Sequence, residues 1–222
     1  MYKRKLILGT VIIGIGIGVF VGLQSVKMTS GVQADLDISK TRVVVGGKIA
    51  VTSAQITKGM DGIRNFQKNP ALTVFFQDTG WNPYFEKIVD PLKPEMVEPT
   101  KQMMIYQDQQ GWQYLVDLAS NQIIQMGPAS QSSLTDPTPE MDFTPRYTKK
   151  ELQTYSVNWL KERNIDVDSL AKEFEFSVGT KDGKGFFFRW TDNKAQEGEM
   201  RFLQVGFTIG GSLLSYSNTL NI

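Results

Sequence analysis

The sequence predicts an α+β protein: an N-terminal transmembrane helix followed by two modules, each a helix set against an antiparallel sheet. Three observations predict it. Leu6 to Leu23 is an uncharged, largely apolar run of 18 residues, long enough to cross most of a hydrocarbon layer as a helix. Beyond it, one helix-period segment followed by several short period-two segments occurs twice. Between the two sets, Gly127 to Tyr147 holds Pro128, Pro137, Pro139 and Pro145 among serines and threonines, which reads as a linker. The expected division is 1–26 for the cytoplasmic tip and anchor, 27–40 for a stalk, 41–126 for the first module, 127–147 for the linker and 148–222 for the second module.

The glycines of "GTVIIGIGIGVFVG" (residues 9–22) invite a dinucleotide-loop reading, and the spacing rejects it. Counting G-x-G-x-x-G from Gly14 puts the third glycine at Val19, and counting from Gly16 puts it at Val21. Lys3, Arg4 and Lys5 precede the apolar run and only Lys27 follows closely. That bias holds the N-terminus in the cytoplasm and sends the remainder outside. The core is longer than that of a cleavable signal peptide, and the best small-x-small site, Val32-Gln33-Ala34, lies well beyond Leu23. Both points favour an uncleaved, single-pass cell-membrane anchor. Gly14, Gly18 and Gly22 fall four apart on one helical face, the spacing that lets two membrane helices pack backbone to backbone as a homodimer. The plainer explanation is that glycine is common in membrane helices.

From Lys27 onward the chain carries 21 basic and 23 acidic residues, a balance that gives no reason to expect nucleic acid as a partner. The chain has no cysteine and no histidine. Ser-His-Asp and Cys-His catalytic sets cannot form, nor can a zinc site with the usual nitrogen or sulfur ligands. Paired carboxylates or a Ser-Lys pair remain open chemically. The available acids, Asp166 with Asp168 in an expected turn and Glu173 with Glu175 along an expected strand, read as solvated surface charge. The expectation is a non-enzyme with no cofactor and no metal. A cysteine-free exported chain fits a bacterial envelope.

In the first module, "RVVVGGKIAV" reads as a hairpin turning at Gly46-Gly47. Ser53 caps a helix over 53–67 whose Ile56, Met60, Ile63 and Phe66 share a face, weakened by Gly59 and Gly62 and ended by Asn69-Pro70. Strands are expected near 71–77, 101–107, 112–118 and 123–126, with Trp112, Tyr114, Val116 and Leu118 on one face of the third. Four prolines between Asp78 and Thr100 mark an irregular excursion. The span from Gln102 to Pro145 has no basic residue and five acids, Asp108, Asp117, Asp136, Glu140 and Asp142. A basic partner could use it, and a solvated loop explains it more simply.

The second module opens at Thr148 and Glu151, which have capping-box spacing. Leu152, Tyr155, Trp159 and Leu160 form the stripe of a helix that Asn164 closes. "KEFEFSV", "GFFFRW", "RFLQVGFTI" and "SLLSYSN" follow as strands, and the shared order of elements suggests that the two modules are related. The stretch from the helix through "FFFRW" to "QVGFTIGGSLLSYSN" resembles the cystatin-like modules of the PepSY type found on bacterial surface proteins, over Thr148 to Ile222. The resemblance implies a cystatin-like fold for the modules. It also implies a non-catalytic binding or inhibitory role beside peptidases or signalling proteins outside the membrane, with no catalytic residues to carry over.

Two segments are candidates for partner contact. In "GFFFRW", Phe186, Phe188 and Trp190 take one face and Phe187 and Arg189 the other, so Phe187 with Arg189 either meets a partner or packs against the first module. In "GWNPYF", Trp81, Tyr84 and Phe85 in a turn-rich setting either stack on a ligand or serve as core. The leading expectation is an extracytoplasmic module, tied to the membrane, that binds an envelope protein. The alternative is a glycan- or peptide-binding surface module.

Overall fold

The structure is a computed structural model that describes residues 43–44, 49–82, 84–88, 92, 96–130, 136–195 and 199–220. The apolar run from Leu6 to Leu23, with Gly14, Gly18 and Gly22, lies outside the described residues, as does the Gly46-Gly47 turn. Among the described residues no helix is long and apolar enough to cross a membrane.

Two short elements differ at the start. Strand β1 (Val43–Val44) pairs in parallel with β4 (Met96–Pro99), and residues 49–51 are not a strand, so the expected hairpin partner is replaced by a distant one. Helix α1 (Ser53–Phe66) is capped by Thr52, not Ser53. The Thr52 hydroxyl accepts from the Gln55 N–H while the Gln55 side chain accepts from the Thr52 N–H, which is a full capping box. Lys68, with φ 52°, turns the chain out of the helix just before Asn69-Pro70.

The proline-rich excursion carries more structure than its composition suggests. Strand β2 (Val74–Trp81) runs on through Asp78 and Trp81, and β3 (Glu86–Ile88) pairs with β4 in a small three-stranded sheet. Next come β5 (Gln102–Asp108), β6 (Trp112–Asp117) and β7 (Ile123–Pro128), then α2 (Lys149–Lys161) with the expected Thr148–Glu151 box and with Asn164 left-handed at φ 61°. A short helix, α3 (Val167–Glu173), stands where a turn was expected. Asp166 caps it by accepting from the Ser169 N–H, so this acid is a helix cap. Strands β8 (Glu175–Lys181), β9 (Gly185–Thr191), β10 (Phe202–Thr208) and β11 (Leu213–Asn218) complete the chain.

All the longer strands lie in one eight-stranded antiparallel sheet, in the order β2-β5-β6-β7-β11-β10-β9-β8. Each half of the chain supplies a helix and then four strands, and the halves join through their last strands, with Met126 opposite Tyr216 and Gln125 opposite Ser217. A single row of side chains crosses every strand by register: Phe76, Tyr106, Tyr114, Met126, Tyr216, Val205, Phe188 and Val178. Each member is apolar or aromatic and belongs to the core or packs on it, so one hydrophobic layer runs the width of the sheet. Helices α1 and α2 cover this face. Phe66 of α1 meets Trp159 of α2 at 5.7 Å and Tyr216 at 5.0 Å, above the seam between the halves.

The acids singled out between Gln102 and Pro145 divide by role. Asp108 is buried and accepts from the Gln110 and Trp112 N–H groups at 2.8 and 3.0 Å and from the Tyr114 hydroxyl at 2.7 Å. Asp117 is likewise buried and holds the next turn through Ser120. These two carboxylates organise hairpins and are not part of a solvated face. The described part of the proline-rich segment lies along hairpin ends of both halves. Gly111 abuts the Pro137 carbonyl so closely that a Cβ would come within 2.0 Å of it, and the Arg146 and Tyr147 N–H groups donate to the Ile209 carbonyl at 3.0 and 3.1 Å.

Candidate functional site

Period-two alternation puts Phe186, Phe188 and Trp190 of β9 toward the helices and Phe187 and Arg189 on the opposite face of the sheet, which is where the structure places them. That second face is largely polar, with Gln125, Ser217, Gln204, Arg189 and Ser177 in one row by register. The structure brings the two sequence candidates together there. Tyr84 lies over the row with its ring edge-on to Phe202 at 5.2 Å, and its hydroxyl is 3.3 Å from Gln125. The Arg189 guanidinium stacks over the Phe202 ring at 4.0 Å. Burial pushes the Tyr84 hydroxyl's pKa up, and burial also lowers that of Arg189.

This arrangement is mostly a packed junction. Phe85 is only 1% exposed and lies in the interior, where the Lys101 ammonium stands 5.8 Å from its ring. Asn82, fully buried, accepts from the Tyr84 N–H at 3.0 Å and fixes the turn that delivers both aromatics inward. Trp81 ends β2 opposite Gln102 and is half-buried. Phe187 lies against Gly206, where an added Cβ would come within 2.5 Å of its ring, so the glycine in β10 makes room for it. Among the five candidates, Phe85 has no surface to offer, Tyr84 and Arg189 are occupied with Phe202, and Trp81 and Phe187 remain half-exposed.

The other concavity lies on the helix side and was not anticipated. A cleft of about 470 Å³ opens between the end of α1, the β6–β7 turn, the α2–α3 connection and the end of β11. Gly62 and Phe66 form one wall, Asn121 and Gln122 a second, and Arg163 and Asn164 a third. Arg163 is the unusual member. Its guanidinium stacks on Trp159 at 3.6 Å and faces Phe66 at 5.2 Å, Nη1 donates to the Trp159 carbonyl at 3.1 Å, and Nε is enclosed without a hydrogen-bond partner. Desolvation lowers its pKa from the ordinary arginine value. One signal in the sequence points to it: Trp159 and Arg163 stand four apart at the end of a helix, where an indole and a guanidinium share a face.

Among the described residues no three histidine, cysteine or carboxylate side chains come together as a metal-binding set. The cleft offers hydrogen-bonding amides, apolar walls, the Arg163 cation and, at its rim, the Asp166 carboxylate.

No protein-family model and no curated protein matches the chain. A solved structure, the Bacillus megaterium YpeB C-terminal domain, is weakly similar, with a TM-score of 0.43 and 8% identity over 78% of this chain. The match spans 64% of that domain.

Proposed function

We propose that the chain is a non-catalytic interaction module, anchored in the bacterial cell membrane by residues 6–23 and working outside it, where it binds an envelope protein and regulates a peptidase or a signalling protein. The observation that carries binding is the cleft beside α1 and α2, whose amide-bearing walls stand beside a nearly enclosed cation. A chain without histidine or cysteine lacks the commonest nucleophile and acid–base sets, which supports binding over chemistry. The resemblance of residues 148–222 to PepSY-type modules supports the same reading, and the flanking charges of the apolar run support the orientation.

The test has two arms. Protease added to cells stripped of their outer layers should digest everything beyond residue 40, and full protection refutes the orientation. Crosslinking in intact cells should join the chain to a defined protein, and that product should disappear when the cleft is filled by Gly62→Leu. A crosslinked partner unaffected by Gly62→Leu places binding elsewhere on the molecule.

A further inference from the structure

A guanidinium does not lose its proton at ordinary pH, so an arginine carried into the interior keeps a demand for acceptors or for an anion. The Arg163 side chain is only 10% exposed, and its closest carboxylate, Glu162, stands 3.8 Å away with its own side chain 62% exposed to water. Of the other two acids nearby, Asp166 lines the cleft and Asp168 does not, and both have partners of their own. Asp166 holds Ser169 through both carboxylate oxygens, at 3.1 Å to the N–H and 2.6 Å to the hydroxyl, and Asp168 pairs with Lys161 at 2.7 Å. The chain thus carries a largely desolvated cation to the wall of an open cleft without a buried counter-charge of its own.

We propose that the cleft receives the free C-terminal carboxylate of a peptide whose last side chain is apolar, with the carboxylate on Arg163. This deepens the reading of the chain as an interaction module and rests on it. A carboxylate matches the planar fork of a guanidinium in two parallel hydrogen bonds, a geometry that a lysine cannot reproduce. The rings already stacked on Arg163, Trp159 and Phe66, hold that fork in place, so little side-chain freedom is lost on binding. Ile165 and Leu170 line the cleft as half-exposed apolar surface for the last side chain, with Ile123 and Leu220 buried behind them. The side-chain amides of Gln122 and Asn164 lie at the open side, where a peptide backbone would pass, while that of Asn121 donates to the Lys58 carbonyl at 3.2 Å.

The test uses the whole isotope-labelled chain in detergent and three probes: a pool of N-acetylated tripeptides ending in leucine or phenylalanine with a free carboxylate, the same pool as C-terminal amides, and inorganic phosphate. The readout is the Arg163 Nε–H resonance, identified by its loss in Arg163→Gln, together with the backbone amides of Gln122 and Asn164. The carboxylate pool should shift these signals and the other two probes should not. Arg163→Gln should weaken the effect on the backbone amides by about tenfold or more, the scale of a lost charge-assisted hydrogen bond. If Arg163→Gln fails to fold, Gly62→Leu provides the second variant. It fills the cleft from a helical site where a side chain favours the helix, and it should abolish the shifts. Equal shifts from carboxylate and amide pools overturn the carboxylate assignment and leave the interaction site standing. Equal shifts from phosphate overturn the peptide assignment, and no shift from any probe overturns both.

Discussion

Gly59 and Gly62 stand three apart in α1, and a helix-propensity argument treats them alike: replacing either with alanine should stabilise the helix by about 1 kcal/mol. The structure separates them. A Cβ on Gly59 would come within 2.1 Å of the Tyr106 hydroxyl oxygen and 2.6 Å of Cζ, whereas a Cβ on Gly62 would meet the Asn121 side-chain amide at 3.2 Å and its backbone carbonyl oxygen at 3.8 Å. Tyr106 cannot give way easily. It is fully buried, its hydroxyl donates to the Ile56 carbonyl at 3.1 Å, and its ring is wedged against Phe76 at 5.6 Å. Overpacking of a tight core costs about 1–3 kcal/mol, and a contact this short belongs at the upper end. After the propensity gain, Gly59→Ala should destabilise the protein by about 2 kcal/mol, and Gly62→Ala should be neutral or stabilising by up to about 1 kcal/mol. Equilibrium unfolding in urea, followed by tryptophan fluorescence, measures both. Tyr106→Phe removes the nearest clashing atom and should recover part of the loss in the double variant, so a cycle of four proteins isolates the contact. A Gly59→Ala protein as stable as the parent refutes the close approach of α1 to β5.

Three further outcomes follow from the core and the seam. Asp108→Ala removes the acceptor of the buried Tyr114 hydroxyl and of two part-buried backbone N–H groups, and the urea midpoint should fall by the equivalent of about 2 kcal/mol. Burial raises the Tyr106 pKa from 10.0 to about 12, so the fold favours the neutral phenol. That stability is fully present below pH 10 and is lost as pH rises toward 12, at about 1.4 kcal/mol for each pH unit in the interval; Tyr106→Phe should flatten the slope. Residues 148–222 expressed alone lose Phe66 and Met126 from around Tyr216, and circular dichroism should find them unfolded where residues 35–222 are folded.

Local chemistry made much of the fold readable. The Thr148–Glu151 box, the left-handed Asn164 and the alternation of "GFFFRW" all rest on neighbours within a few residues, and each is found in the structure. The Thr52–Gln55 box has the same signature and was passed over for Ser53, one residue away. Helix α3 was hidden because it is only seven residues long and three of them are charged, so its apolar positions, Val167, Leu170 and Ala171, make less than two turns of stripe. The β7–β11 seam has no local trace, since Met126 and Tyr216 are 90 positions apart and any edge strand could have closed on any other. The candidate site divides in the same way. Tyr84 and Arg189 were selected as exposed aromatic and basic groups, but their meeting over Phe202 depends on a turn fixed by a buried asparagine. Arg163 at a helix C-terminus reads as an ordinary solvated charge until the two helices are laid side by side and Phe66 arrives above it.

The seam also alters how the molecule meets its own copies. Two separate four-stranded sheets would leave four open borders, each a row of unsatisfied amides ready to recruit another chain. Joining β7 to β11 consumes two of those borders and leaves only β2 and β8 at the rims of the large sheet. The rim at β2 is interrupted by a register shift between Phe76 and Asp78, which spoils it as a template. The rim at β8 pairs without a register shift over seven residues, so it, more than β2, is the border along which misassembly between chains would begin, and the charges at its two ends, Glu175 and Lys181, oppose that.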